Sequence, residues 1–370
     1  MNRKLPITVA LLLAGLSLAA QEKPSTWLGR TFERLANSKP HFDSSYVFLM
    51  PFKWTVAVES ELLRPGADLS YDFATRVNKW DMMVDQTGTL KIGLQDRPCR
   101  KLGLAAGYGS LRLGYGVQLG TREGERNTFF GFGVNSASYG IQIRYYKTHP
   151  RPAGSIAYDN GLPVSLNSDM PGELRAIAFD GYYAFNRHRF MYNAASAGRH
   201  VQRRSAGSWM VAAKYLQGDF SLDPKDPIGD RLSGIYQFAS RQLSVGGGYS
   251  YNWTMLHRDP VDGGIRGLRN LTVNATALPM VSFLNLVRAG ESKKDGQSPM
   301  KNLPTFSPSV RGAACYTLDR WSFCAEVAYA RYGFRGPERN ATYGSGTEAR
   351  VKTSGVFHDF TVKGKVNLHF

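Results

Sequence analysis

The last eleven residues alternate between apolar and polar side chains up to the carboxyl terminus. The apolar set is Phe360, Val362, Gly364, Val366, Leu368 and Phe370, and the polar set is Thr361, Lys363, Lys365, Asn367 and His369. A period of two places these sets on opposite faces of a β-strand. Such a carboxyl-terminal strand is typical of the closing strand of an outer-membrane β-barrel. We expect Phe360, Val362, Val366, Leu368 and Phe370 to act as the signal that the barrel-assembly machinery reads.

The amino terminus has the layout of a cleavable signal peptide. Arg3 and Lys4 precede an apolar run from Ile7 to Ala20, which ends in two small residues. The run is shorter than the roughly 20 residues that a helix needs to span hydrocarbon. The sequence therefore predicts a signal peptide over 1–20, a periplasmic lead-in or plug segment over 21–50, and a barrel over 51–370. The barrel is expected in the outer membrane of a Gram-negative bacterium.

Further alternating segments predict the rest of the barrel. Leu111–Leu119 and Leu243–Trp253 are the clearest. Membrane strands need about 9 to 11 tilted residues, and single-chain bacterial barrels have even strand numbers. We therefore predict an all-β antiparallel barrel of about 12 strands, with 14 as the alternative.

Several local features accompany this pattern. We expect a turn at Arg64–Gly66, a long extracellular loop over His149–Gly172, and a strand over Phe190–Ala197. Tryptophans near segment ends suit the interfacial girdles of membrane barrels. They are Trp54, Trp253 and Trp321.

The formal net charge of the 370-residue chain is +17. For an exported chain this favours outer-membrane lipid and lipopolysaccharide as partners over nucleic acid. The alternative is that the lysine and arginine residues are spread over the loops and rims of the barrel and bind no specific ligand.

Two cysteines are spaced for a hairpin. A two-residue turn at Asp319 and Arg320 would place Cys315 opposite Cys324 on the inner face. The oxidising periplasm could join them into a disulfide, or they could simply pack as small residues. The third cysteine, Cys99, receives no role.

Charged residues on inward faces predict the character of the lumen. The lumen-lining candidates are Arg112, Arg144, Lys363, Lys365, Glu59 and Glu326. They predict either a narrow, anion-leaning channel or a lumen closed by ion pairs. About twelve strands leave limited room once the side chains are placed, so both readings remain open.

A second basic cluster lies between two predicted strands. It comprises Arg187, His188, Arg189, Arg199, His200, Arg203 and Arg204. Guanidinium groups could grip lipid A phosphates or an acidic glycan if this cluster lines an outer loop. Arg199, Arg203 and Arg204 are the anion-binding candidates, and a solvated rim is the alternative.

The sequence offers little catalytic or metal chemistry. His358, Asp359 and the nearby Ser354 are residue types found in hydrolase sites. However, adjacent residues of a strand point to opposite faces, so His358 and Asp359 cannot both serve one site without a bulge. No zinc or calcium motif is found in the sequence. We therefore expect neither an enzyme nor a cofactor.

Some stretches resemble a family of outer-membrane barrels of unknown function that is typical of Bacteroidota. They are Tyr182–Asn186, Arg189–Tyr192, Gln202–Ser208 and Gly248–Asn252. The resemblance implies a barrel and a location but no activity, so it assigns no functional residue.

Two functions follow as expectations. The first is a narrow channel or transporter for small, possibly anionic solutes. The second is a non-conducting structural or interaction barrel that binds lipopolysaccharide or envelope glycans through basic loops. The oligomeric state is left open.

Overall fold

A computed structural model describes most of the chain from residue 42 onward. The gaps are 80–81, 96–98, 120–126, 137, 150, 159–163, 168–169, 171, 224, 226–236, 262–263, 291–299, 302–303, 336–338 and 343–347. The predicted signal peptide and residues 21–41 of the lead-in lie outside the described residues.

The described residues form twenty-one strands and one short helix, α1 (Ala194–Ala197). The strands are β1 (Val47–Leu49), β2 (Trp54–Lys79), β3 (Met82–Gln95), β4 (Cys99–Tyr108), β5 (Leu111–Gln118), β6 (Thr128–Asn135), β7 (Tyr139–Thr148), β8 (Arg151–Tyr158), β9 (Val164–Asn167), β10 (Glu173–Ala184), β11 (His200–Gln202), β12 (Ala206–Ser221), β13 (Gln237–Arg258), β14 (Arg269–Leu278), β15 (Met280–Gly290), β16 (Met300–Lys301), β17 (Thr305–Phe306), β18 (Ser309–Leu318), β19 (Trp321–Arg335), β20 (Arg339–Thr342) and β21 (Glu348–His369).

Twelve of these strands close into an antiparallel barrel. The order around the barrel is β2, β4, β5, β6, β7, β10, β12, β13, β14, β18, β19 and β21, and β21 pairs with β2. The final strand therefore closes the barrel, with His369 opposite Thr55. The prediction of an all-β barrel of 12 strands is confirmed, and the alternative of 14 strands is wrong.

The barrel has two unlike ends. The near end holds Trp54, Phe370 and the tight turns at Gly109–Ser110 and Asp319–Arg320. The far end carries the extensions of the long strands, where β3 continues beyond β4 and β15 beyond β14. At about 3.3 Å per residue, the 26 residues of β2 far exceed the 9 to 11 that cross a membrane.

The barrel wall sorts side chains by the period-two pattern. Outward positions carry exposed apolar residues that include Val58, Leu104, Val211, Val245 and Val327. Aromatic side chains cluster on the outer surface of the barrel close to its near end. They include the contacting pairs Trp54–Tyr108, Trp209–Tyr249 and Tyr251–Trp253, and also Trp321. The positions of Trp54, Trp253 and Trp321 are those of one interfacial girdle.

The expected turn at Arg64–Gly66 is wrong, because β2 runs through it without interruption. Its neighbour is broken instead: Leu63 pairs with Cys99 of β4, whereas Gly66 pairs with Gln95 of β3. Pro65 therefore lies opposite this break, where a missing backbone N–H is tolerated. The expected loop over 149–172 likewise contains β8 and β9, and β8 pairs with β3.

The expected strand over Phe190–Ala197 is also wrong. Residues 186–205 between β10 and β12, which we call the inserted segment, contain α1 and the three-residue β11. Gly198 ends α1 with a φ of 70°, a conformation that glycine adopts without strain. A side chain there would also collide with Ser322 of the barrel wall. Among the described residues, no helix is long and apolar enough to span a bilayer.

Candidate functional site

The inserted segment fills the near end of the lumen. Its contacts with the inner wall come from α1 and from the residue before it. Asn193 donates to Asn135 at 2.8 Å and to the Tyr182 hydroxyl at 2.7 Å. Lys365 donates to the Ser196 carbonyl at 3.3 Å. Phe190 and Met191 are completely buried, so this segment packs as a core rather than as a surface loop.

Gln202 ties the inserted segment together. Its Nε2 lies 2.7 to 3.2 Å from the carbonyl oxygens of Tyr46, Arg189 and Arg204. Its Oε1 accepts hydrogen bonds from the Met191 backbone and the Asn252 side chain, both at 3.2 Å. One buried amide thus links the inserted segment to the lead-in and to the barrel wall.

The wall behind Gln202 is a row of buried polar side chains on β13 and β14. Asn252 donates to the Met191 carbonyl at 2.8 Å, and Asn270 donates to the Gln202 carbonyl at 2.8 Å. Asn274 and Ser250 continue the row with a 2.9 Å hydrogen bond. Buried polar groups of this kind are stable because they are paired, and here they fix the docking position of the inserted segment.

The described part of the lead-in covers the inserted segment. Strand β1 pairs with β11, placing Val47 opposite Gln202 and Leu49 opposite His200. Burial, helped by the charges of Arg199 and His369, lowers the pKa of His200 to about 3. His200 is therefore neutral at physiological pH, and residues 42–50 form a second layer across the near end.

Above the inserted segment lies a layer of charged side chains. Glu61 lies between two cross-strand neighbours, with Lys101 at 2.8 Å and Lys363 at 3.5 Å. Glu59 pairs with Arg112. The register creates both Glu61 pairs, and it also places Glu59 opposite Lys365 on β21.

The opposite wall contributes further ion pairs to this charged layer. Arg144 reaches Asp180 at 3.0 Å and Asp359 at 3.1 Å, which joins β7, β10 and β21 across the lumen. Lys214 lies 3.6 Å from Asp180. Glu326 is approached by Arg311 at 3.1 Å and by Lys365 at 3.9 Å. Three carboxylates, Glu61, Asp180 and Glu326, are therefore each shared by two cations.

Beyond the charged layer, towards the far end, one cluster of inward side chains is apolar. This apolar layer consists of Leu63, Phe129, Tyr146, Ala176, Ala178, Leu216, Ala330 and Tyr332, with Leu174 and Phe357 packed against it. Its members come from strands on opposite sides of the barrel order, so the cluster spans the lumen. Apolar constrictions of this kind close channels by excluding water.

A cavity of about 230 Å³ lies between these layers. Its floor includes Tyr192, Asn193 and Ser196 of the inserted segment, and its roof includes Leu63 and Tyr146 of the apolar layer. We call it the chamber. All six lumen-lining candidates, Arg112, Arg144, Lys363, Lys365, Glu59 and Glu326, line the chamber.

The sequence reasoning missed other charged residues of the chamber. They are Glu61, Lys101, Asp180, Lys214 and Arg311, together with Asp359, which pairs with Arg144. Glu61 could have been found because it is two residues from the inward Glu59 on the same strand. Arg311 is four residues from the inward Cys315, and residues an even number apart in a strand lie on one face.

The basic cluster belongs to the inserted segment. It therefore lies at the near end, with the barrel termini and the tight turns. Arg203 donates to the Ser44 carbonyl at 2.6 Å and lies 2.6 Å from Asp259. Arg199 lines a small inner cavity of about 40 Å³, and Arg204 is exposed beside the Tyr46 ring. Anion binding by these three arginines stays a prediction.

The remaining candidates are the two hairpin cysteines, the apolar residues of the last strand, and the pair His358 and Asp359. Cys315 and Cys324 are opposite each other and are joined by a disulfide on the inner face. Phe360, Val362, Val366 and Leu368 lie on the outer face of β21, followed by the exposed Phe370, and their role in assembly stays a prediction. Asp359 engages Arg144 whereas His358 lies 3.9 Å from Asp68, so the two are not brought to one site. Among the described residues, no group of three or more histidine, cysteine or acidic side chains is placed to hold a metal.

Solved structures that resemble the fold are barrels. The beta domain of the Bordetella autotransporter BrkA is 10% identical, with 83% of this chain and 99% of that chain covered and a TM-score of 0.30. The translocator domain of the autotransporter NalP from Neisseria meningitidis is 11% identical, with coverage of 95% and 98% and a TM-score of 0.28. The P. putida toluene transporter TodX is 8% identical, with coverage of 86% and 91% and a TM-score of 0.24. Likenesses at this level assign no function to this chain.

Sequence comparison gives a family but no activity. No curated protein matches the sequence. Residues 77–350 match the family model described as Domain of unknown function (DUF4421). This confirms the predicted membership in a family of unknown function, whereas an origin in Bacteroidota stays a prediction. Because the match covers most of the chain, the protein belongs to the DUF4421 family.

Proposed function

We propose that the protein is an integral barrel of the bacterial outer membrane that does not conduct in its resting state and serves as an interaction protein. The outward apolar wall and the girdle of aromatic residues at the near end support a membrane position. The termini and tight turns then lie on the periplasmic side, and the long strand extensions project outward.

The main support for a non-conducting barrel is that the lumen is closed at two levels. The inserted segment blocks the near end, and the apolar layer blocks the lumen between the chamber and the far end. A solute would have to displace both. In addition, ion pairs such as Arg144–Asp359 cross the space that a free pore would leave open.

Conductance in a planar bilayer tests this proposal. Refolded wild-type barrel should show no steps, and a shift in gel mobility between unboiled and boiled samples should verify that it is folded. A positive control has both closures removed: a short Gly-Ser linker replaces residues 187–204, and alanine replaces Tyr332 and Phe357. Steps from this variant with silence from the wild type support closure. Steady wild-type steps contradict it.

A gated passage for small anions is the second candidate. The excess of cations around the chamber favours it, and so does the nature of the near closure, which is an insert rather than part of the wall. Under this alternative, conductance appears in the wild type under a voltage or ligand stimulus and prefers anions. If neither voltage nor ligand produces conductance, the gated passage is contradicted and the interaction role is retained.

The far end is the place to seek the interaction. There Asp68, Asp72, Lys91, Arg331 and Arg335 line an open crevice of about 740 Å³. Mixed charges around an open crevice suit an envelope glycan or the phosphates of lipopolysaccharide. Replacing Arg331 and Arg335 with glutamine should weaken lipopolysaccharide binding, whereas Arg269→Gln at the near end should not. Equal binding by all three proteins removes this partner.

A further inference from the structure

The chamber carries more positive than negative charge. Among the described residues that line it, seven are cationic and four are anionic, and Asp359 behind Arg144 adds one more carboxylate. The net charge of this set is therefore +2, although each cation lies within 4 Å of a carboxylate. A buried excess of charge is unfavourable unless a counter-charge accompanies it.

Two lysines share a carboxylate with an arginine and can turn towards a ligand without leaving that carboxylate unpaired. Glu326 retains Arg311 if Lys365 is removed, and Asp180 retains Arg144 if Lys214 is removed. Removing either lysine thus leaves these carboxylates paired. Both lysines also contact neutral groups: Lys365 donates to the Ser196 carbonyl at 3.3 Å, and Lys214 donates to the Ser309 hydroxyl at 2.8 Å.

Guanidinium donors around the chamber are only partly used. Nε and Nη1 of Arg311 and Nε of Arg144 are buried and have no hydrogen-bond acceptor within the described residues. Buried N–H groups without acceptors are unfavourable by roughly 1–3 kcal/mol each. These nitrogens are fully covered, so an acceptor in the chamber would pair with them only after the guanidinium groups rotate. An anion in the chamber would neutralise the excess charge directly.

We propose that the chamber binds one small tetrahedral oxyanion of the phosphate or sulfate class, held by Arg311, Arg144, Lys365 and Lys214. A dianion matches the excess of two positive charges, and its oxygens suit forked guanidinium donors. The volume of about 230 Å³ is ample, since a water molecule occupies about 30 Å³. The inserted segment and the apolar layer exclude a lipid headgroup, whose acyl chains could not follow it, so the ligand is a free oxyanion.

Loading during refolding tests the site without any need for conductance. The mature chain is refolded in detergent free of lipopolysaccharide with radiolabelled inorganic phosphate, then dialysed against chloride buffer, and the retained label is counted. The wild type should keep about one phosphate per barrel, which unlabelled sulfate in the refolding buffer should displace. Lipopolysaccharide added in its place should not displace it.

Matched variants make the test specific. Lys365→Met and Lys214→Met should each weaken retention by about tenfold or more, since each removes a charged donor. Arg269→Gln, which removes a cation from the outer wall, should retain phosphate as the wild type does. Loss of label from wild-type protein on dialysis overturns the proposal, as does equal retention by the lysine variants or displacement by lipopolysaccharide alone. The gel-mobility shift verifies that each variant is folded.

Discussion

Replacing Gln202 with alanine should release the inserted segment without unfolding the barrel. The Gln202 amide has two donor hydrogens and an oxygen that accepts two hydrogen bonds, and the structure uses all of them. At roughly 1 kcal/mol net for each hydrogen bond, the loss amounts to about 4 kcal/mol. That free energy corresponds to about a thousandfold increase in the open population of the segment.

Hydrogen exchange followed by mass spectrometry measures this population directly. Amides in 186–205 should exchange about a thousandfold faster in the variant, whereas amides of β12 and β18 should exchange as in the wild type. Gln242→Ala is the matched control. Gln242 is equally buried on the inner wall, but its only side-chain hydrogen bond within the described residues joins it to Ser240 at 3.3 Å.

Two results would refute this reasoning. If 186–205 keeps its wild-type protection in the Gln202 variant, the segment is held by packing alone. If the Gln242 variant loses the same protection, the effect reflects general loosening of the wall rather than the bonds of Gln202.

Three further predictions concern the same closures. Because His200 has a pKa of about 3 when folded and about 6.5 when unfolded, protonation favours the unfolded form, and the inserted segment should lose about 2–3 kcal/mol between pH 6.5 and 4.5. Hydrogen exchange at the two pH values checks this, and His200→Gln should remove the difference. Replacing both Cys315 and Cys324 with alanine should lower the free energy of unfolding in urea by at most about 3 kcal/mol, since the closed loop is short; a larger loss would mean that the cysteines also support the packing of Gly198. A cysteine placed at Ala178 in the apolar layer, in a background without native cysteines, should react with a water-soluble maleimide far more slowly than one at the exposed Arg335, and equal rates would contradict a dry layer.

The sequence predicted the wall of the barrel much better than its contents. A period of two is a local property, so alternation from Leu243 to Trp253 and from Phe360 to Phe370 is enough to predict strands and their inward faces. Likewise, the turn at Asp319 and Arg320 sets the register that joins Cys315 to Cys324. Closure by the last strand follows from the same pattern.

The layers inside the lumen depend on information that no single strand carries. Arg144 meets Asp359 only because the stagger around the barrel brings β7 and β21 to one height. Local alternation predicts that both residues face inward, but not that they meet. The inserted segment was missed for a related reason. Phe190 and Met191 look like strand residues in sequence, but they are buried by the lumen instead of by lipid.

The magnitudes favour a closed barrel over one that opens by itself. Releasing the inserted segment exposes Phe190 and Met191, each fully buried, at about 1.5–3 kcal/mol per side chain. Adding about 4 kcal/mol for the bonds of Gln202 gives at least about 7 kcal/mol, so fewer than about one barrel in 10⁵ would be open at the near end. The apolar layer would remain in place even then. Transport through this lumen would therefore require an opener that binds the released segment, and wild-type barrels without such an opener should stay silent in the bilayer.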